Sequence, residues 1–166
     1  MSVQAETQQD TYVTFYSGNE CFALEIQYVN EIIVYQEITQ IPESEDYIKG
    51  LINLRGKIIP VIDVRLRFRQ EPIEYNDRTC IIVITVKDIV VGLIVEKIAE
   101  VVEITADNLL DSPSLGSVDK SQNKYVYAIG KVGDSVKLLL DPEKLIRDDD
   151  WSTIEQLAEE NKEEGE

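Results

Sequence analysis

Histidine is absent from this 166-residue chain. Its absence removes the commonest general base, the commonest metal ligand and the phosphohistidine acceptor of a relay. Cysteine is scarce. Cys21 and Cys80 lie far apart, each inside an apolar run, and read as buried thiols in a reducing cytoplasm. A disulfide or redox role is the lesser reading, because reactive cysteines need electropositive, accessible surroundings. No apolar run is long enough to span a bilayer. The opening "MSVQAETQQD" has no basic stretch followed by an apolar one, so no secretory signal is expected. Basic residues are few, with 16 Lys and Arg against 32 Asp and Glu, a formal charge of −16. Such an acidic chain repels phosphate backbones and anionic bilayers, which argues against nucleic acid and against direct membrane insertion.

Catalytic motifs are missing as well. There is no GxSxG, no P-loop and no CxxC pair. Carboxylates are so abundant that chance proximity is easy. Asp63 reads as the cap of the following turn rather than a general base, and Glu43 with Asp46 as a solvated loop. No Gly-containing loop offers the regularly spaced oxygens that calcium requires. The expectation is a chain with no catalytic residue, no metal site and no cofactor.

The chain does carry a 43% hydrophobic composition, enough for a real core, in a length that suits one domain or two small subdomains. Its apolar residues fall in period-two or continuous β-branched runs. "TYVTFYSGNECFALEI" reads as a hairpin turning at Ser17-Gly18-Asn19, and "IKGLINLRGKIIPVID" as a second. "TCIIVITVKDIVVGLIV" turns near Lys87-Asp88, and "KYVYAIGKVGDSVKLLL" at Gly133-Asp134. Strands this apolar bury both faces, as in barrels that share a core. Helix is limited to one turn at Gln27–Glu31, a start at Asp141-Pro142, and an amphipathic ending through Trp151, Ile154, Leu157 and Ala158. Residues 74–78 and 111–123 read as loops.

Several positions stand out. Arg55 lies in the middle of "LINLRGKIIPVID". It is either a hairpin-tip residue in water, with Gly56 supplying a positive φ, or a guanidinium paired to lock two strands, with Glu31 a candidate partner. Gly50 marks a bulge or a close backbone approach, and Lys49 a solvated charge guarding an edge. Pro60 implies an edge strand or a bulge. Ile26, Val29, Ile32 and Ile33 are core by default, and an exposed subset of them would mark a docking patch. The residues alone favour a soluble, acidic, intracellular all-β binding module over an enzyme.

"IKGLINLRGKIIPVIDVRLRF" resembles the signature segment of the CheW family, the coupling proteins of bacterial chemotaxis. "FYSGNECFALEIQYVNEI" resembles the family's opening hairpin and turn. "TCIIVITVKDIVVGLIVEKIAEVVEI" resembles its central hairpin, with Glu96 where an Asp is usual, and "YVYAIGKVGDSVKLLLDPEKLI" its closing strands. The resemblance implies an all-β fold of two SH3-like five-stranded β-barrel subdomains sharing a hydrophobic interface, with short helices and a C-terminal helix and tail. It implies a domain of two intertwined barrels at 11–147, flanked by a flexible N-terminus at 1–10 and an acidic C-terminal helix or tail at 148–166; the tail and the 111–123 loop depart from the family pattern.

The resemblance also implies a non-catalytic, cytoplasmic adaptor recruited to membrane receptor arrays. Its partners would be the regulatory domain of the histidine kinase CheA and the cytoplasmic hairpin tip of chemoreceptors. Carried over residue by residue, Ile26, Glu31, Arg55, Ile98, Val101 and Val102 would face the receptor, with Arg55 and Glu31 paired. Val29, Lys49, Gly50, Cys80 and Ile81 would serve the kinase side, and Gly56, Pro60 and Gly92 would be structural. An adaptor of a non-flagellar chemosensory pathway and an acidic metal-binding β-barrel protein are the alternatives.

Overall fold

The computed structural model describes residues 10–41, 46–111, 125–146, 150–152, 154 and 156. The described residues form strands β1 (Thr11–Ser17), β2 (Glu20–Glu25), β3 (Val29–Val34), β4 (Ile48–Leu54), β5 (Lys57–Asp63) and β6 (Cys80–Val86). They continue with β7 (Ile89–Val95), β8 (Lys97–Glu103), β9 (Leu109–Asp111), β10 (Val126–Val132) and β11 (Ser135–Leu140). The four expected hairpins are present and turn over two residues each. Positive φ at Gly18, at Arg55 and Gly56, at Lys87 and Asp88, and at Gly133 matches the twist such tight turns impose.

Two helical turns, α1 (Val64–Arg67) and α2 (Pro142–Leu145), each follow a hairpin. Each starts on an aspartate that caps it. Asp63 Oδ1 accepts from the Leu66 N–H at 3.3 Å, and Asp141 Oδ1 from the Glu143 N–H at 3.0 Å. The turn expected at Gln27–Glu31 is shorter: a 3-10 turn covers Ile26–Tyr28, and Val29 already begins β3. Of the expected C-terminal helix, Asp150–Ser152, Ile154 and Gln156 are helical, with Trp151 and Ile154 buried, while Leu157 and Ala158 lie outside the described residues. The expected loop at 111–123 also lies outside them, apart from Asp111, which ends β9.

The strands assemble into two sheets, one ordered β8-β1-β2-β11-β10-β9 and the other β3-β6-β7-β5-β4. The five strands expected per barrel are found in the second sheet. The first has a sixth because Leu109–Asp111 adds a short strand beside β10. The strand roles repeat: β1, β2, β3, β4, β5 and α1 occupy in turn the places of β6, β7, β8, β10, β11 and α2. The halves are interleaved. Hairpin β1–β2 joins β8, β10 and β11 from the second half, and hairpin β6–β7 joins β3, β4 and β5 from the first. In each sheet one parallel pairing makes the seam, β2 with β11 and β7 with β5.

The apolar residues divide by strand parity into three cores. One, between the sheets, takes Phe22 and Leu24, Ile82 and Ile84, Leu93, Ile62, Leu138 and Leu140. The residues between these point the other way. Ile81, Val83, Ile94 and Val61 fill the second sheet's own interior, and Ala23, Leu139 and Tyr12 the first sheet's. This is why the strands are apolar at nearly every position. Each buried Ile, Leu, Val or Phe contributes roughly 1.5–3 kcal/mol. An aromatic file, Phe15–Phe22–Phe68–Tyr125, with ring centroids 4.9 to 5.8 Å apart, ties the first sheet to α1. Behind it Arg67 is buried between the rings of Tyr47 and Tyr125, at 4.9 and 4.8 Å, and donates to the Leu145 carbonyl. Stacking and a backbone acceptor satisfy a cation that burial would otherwise penalise.

The special residues fall where local chemistry demands. Gly50 has φ +148 at a register shift, and a Cβ there would lie 2.0 Å from the Thr39 carbonyl oxygen, so both expected roles hold. At Gly92 a Cβ would meet Val61 and Ile81 at 2.7 and 2.8 Å. Pro60 is not on an edge strand, since β5 lies between β4 and β7. It is tolerated because its partner Leu51 directs both backbone groups to Thr39, and pairing with β7 begins only at Val61. Cys21 is buried as expected, whereas Cys80, at the start of β6, is only half-buried.

Gly50→Ala is expected to lower stability by roughly 3 kcal/mol or more, because both backbone and neighbour oppose it. Gly133, φ +59 but facing open space, should lose only about 1 kcal/mol as Ala. Urea unfolding midpoints at constant slope check the contrast.

Candidate protein-binding surface

The second sheet begins at β3 and ends at β4, and its two edges are joined by side chains. Arg55, at the β4–β5 turn, donates through its guanidinium to the Glu31 carboxylate on β3. Gln36 Nε2 donates to the Asn53 carbonyl at 3.1 Å, and Thr39 exchanges backbone hydrogen bonds with Leu51 at 2.8 and 2.9 Å. The two readings of Arg55 are therefore both realised. It is a hairpin-tip residue with φ +52 and an accessible side chain, 68% exposed, and it is paired. Its guanidinium is not buried as its apolar neighbours suggested, because the turn lifts it off the strand. The hydrogen bond and charge of Glu31 raise its pKa above the ordinary value. Gly56 completes the turn, its N–H donating to Asn53 Oδ1 at 2.9 Å.

The edge strands of both sheets leave apolar side chains uncovered. On β3, Ile32 and Val34 are 38% and 73% exposed; on β8, the edge of the first sheet, Val101 is 58% exposed. Register explains why. Ile32 pairs with Ile82 and Val101 with Val13, and both partners belong to the core between the sheets. An edge residue on that face leans over the rim of the shared core with no strand beyond to cover it. Ile26, Val29 and Ile98 sit lower on the same rim, half-buried against the shared core. Val102 has the opposite parity and packs toward Tyr12 and Ile104 inside the first sheet.

Residues expected on the kinase side are more dispersed. Lys49 is half-buried with its ammonium 6.0 Å above the Tyr75 ring. Gly50 is buried against Thr39, and Ile81 has no exposed surface, so neither presents a side chain to a partner. Cys80 donates to the Arg78 carbonyl at 3.4 Å, and burial pushes its thiol pKa up. Ile32 is the exposed member of the apolar set whose exposure marks docking. Val34 is exposed too and lies outside that set, since strand parity alone does not say which edge stays open.

Little here suits a reaction. A cavity of about 10 Å³, water-sized, is lined by Asp63, Arg65, Tyr75, Thr79 and Glu96 among others. Its acids are engaged: Asp63 accepts from Tyr75 at 2.6 Å, and Glu96 from Arg65 at 3.0 Å and from the Gly18 N–H. Among the described residues no group of three or more Cys, Asp or Glu is placed to hold a metal, and no helix is long and apolar enough to cross a membrane. Burial, then the carboxylate each phenol donates to, raises the pKa of Tyr75, beside Asp63, and of Tyr127, beside Glu25.

Comparison with known proteins points one way. The model of the CheW-like domain family matches residues 11–150. The chain is 32% identical to the chemotaxis protein CheW of Klebsiella aerogenes over 92% of this chain and 91% of that one. It is 32% identical to CheW of Bacillus subtilis over 78% and 88%. Similarity extends, at 25% identity over 57% of this chain and 53% of the relative, to protein PilI of Pseudomonas aeruginosa. Among solved structures, the scaffolding protein TtCheW from Thermoanaerobacter tengcongensis superposes with a TM-score of 0.72 at 32% identity, covering 80% of this chain and 88% of that one.

The raised phenol values make a sign-definite prediction. The folded state holds protons on Tyr75 and Tyr127 that the unfolded chain releases near pH 10. Their contribution is complete below that pH and is lost as pH climbs toward the folded values. In a near-ultraviolet absorbance titration, Tyr75 and Tyr127 are expected to ionise later than ordinary tyrosines, and Tyr75→Phe with Tyr127→Phe should shrink that late phase, to which Tyr12 and Tyr28, also raised, contribute the rest.

Proposed function

The chain belongs to the CheW family of chemotaxis scaffold proteins, which are non-catalytic, and from that premise we propose that it couples chemoreceptors to the histidine kinase CheA. The observation that carries the reading is the exposed apolar rim of β3 and β8 beside the Arg55–Glu31 pair. A receptor's cytoplasmic hairpin presents a helix, and Ile26, Ile98 and Val101 offer the apolar side of a helix-in-groove contact. Arg55 and Glu31 hold the β3 edge in place at that contact. The kinase regulatory domain contacts Lys49 on β4 together with Val29 and Cys80, which border the same rim and retain exposed surface. The adaptor works on the cytoplasmic side of receptor arrays. There, weak individual contacts are multiplied by effective concentration, and receptor and kinase binding influence each other reciprocally.

A second reading keeps the fold and changes the pathway: an adaptor of a chemosensory system not tied to flagella. The match to PilI supports it. The two readings differ in partners, not in surface.

Pull-down against a CheA regulatory domain and, separately, a receptor cytoplasmic fragment tests the proposal. Binding to both, with receptor control of kinase activity restored on mixing, is the expected result; a folded protein that binds neither would sink it. Arg55→Ala is expected to weaken receptor-dependent kinase activation by about fivefold or more. Its circular dichroism should be unchanged, because an exposed ion pair contributes little to the fold. Val101→Glu should abolish receptor capture while leaving kinase-domain capture intact.

A further inference from the structure

Lys137 on β11 is 5% exposed, and its ammonium nitrogen lies 3.4 Å from the Sγ of Cys21 on β2. Among the described residues Cys21 is its only hydrogen-bond partner, and no carboxylate pairs with it. A buried ammonium whose described partner is a thiol is an expensive arrangement, since sulfur is a weak acceptor.

The repeat in the fold shows that the architecture does not require it. Cys21 is the second residue of β2 and Lys137 the third of β11. The equivalent places in the other sheet are Val90 on β7 and Ile59 on β5, and both pack in that sheet's apolar interior. Ala23 and Leu139, two residues further along on the same faces, lie in the first sheet's interior. The Cys–Lys pair thus stands inside that sheet, at the parallel seam between its two hairpins, where Phe22 pairs with Leu138. An apolar pair would have served; a nucleophilic pair is present instead.

We propose that Cys21 and Lys137 form a peroxide-oxidisable modification site in which the Lys137 amine captures the oxidised sulfur as a covalent S–N cross-link between β2 and β11. The Lys137 ammonium supplies the neighbouring cation that reactive cysteines require, and Cys21 keeps 8% of its surface, a path for a molecule as small as hydrogen peroxide. The reacting form is the Cys21 thiolate beside the Lys137 ammonium, the thiol proton having left to solvent. In that form the sulfur attacks one peroxide oxygen. The O–O bond breaks, the sulfur is oxidised to the sulfenic acid, and the departing hydroxide takes the lysine proton as water. The freed amine then attacks the sulfur. The S–N bond forms, the S–O bond breaks, and the hydroxyl leaves with an amine proton as a second water. One peroxide is consumed, and the protein loses two hydrogens. A thiol reductant reverses the bond.

The test uses the full chain carrying Cys80→Ser, so that Cys21 is the only thiol. After stoichiometric hydrogen peroxide, intact mass should fall by two hydrogens. Proteolysis should yield one peptide joining the Cys21 and Lys137 segments, and the thermal midpoint should rise, all reversed by dithiothreitol. Lys137→Arg keeps the charge but has no amine to capture sulfur. It should give oxygen addition in place of the cross-link, and Lys137→Met should slow Cys21 oxidation by about tenfold. Oxygen addition alone in the Lys137 protein, or equal oxidation rates with and without Lys137, would overturn the proposal. A Cys21 inert to peroxide in the folded protein would also overturn it.

Discussion

The structure depends on one constraint: the inner strands of both sheets are buried on both faces. Residues of one parity meet in the core between the sheets, and residues of the other fill each sheet's own interior. Neither sheet can form alone without exposing Phe22, Leu24, Ile82 or Leu93. The interleaved order, in which each sheet takes its leading hairpin from one half of the chain and its remaining strands from the other, enforces the same dependence through connectivity. The two sheets are best regarded as one cooperative unit.

That constraint places the candidate binding surface. Where both faces of every inner strand are used, the apolar groups left for a partner are those on edge strands whose parity points over the shared core. Ile32 and Val34 on β3 and Val101 on β8 are such groups. The β3 edge is closed toward β4 by polar links, Arg55 with Glu31 and Gln36 with Asn53, which hold it without covering its outward face. An exposed ion pair is a weak stabiliser. In the proposed adaptor its use is positional, setting where the edge lies rather than how stable the fold is. The proposed adaptor needs such a surface, apolar enough to bind a helix and fixed enough to report its arrival.

Much of this was legible in the chain. Two-residue turns at Gly18, Arg55-Gly56, Lys87-Asp88 and Gly133 follow from local chemistry, as do the caps at Asp63 and Asp141. The double role of Gly50 followed from its place at the start of a strand. Other readings required the fold. Pro60 belongs to a strand with neighbours on both sides, tolerated only because Leu51 turns its hydrogen bonds to Thr39. Cys80 is half-buried because β6 begins at the rim. Ile81 and Gly50, matched by resemblance to a binding face, present no side chain there, since a family pattern records positions and not which way each residue points.

The class of the protein is written in the chain: all-β hairpins buried on both faces, acidic, without histidine or catalytic motif, and carrying the block that resembles the CheW family. Those are properties of composition and short-range pattern, and short-range pattern governs turns, caps and strand parity. Only the tertiary structure decided which strand edges stay open, that Arg55 is both accessible and paired, and that Lys137 lies against Cys21 across 116 positions of chain. Partners that distant are chosen by strand order and register, and a linear pattern of apolar residues fits several orders equally well until the shared core selects one.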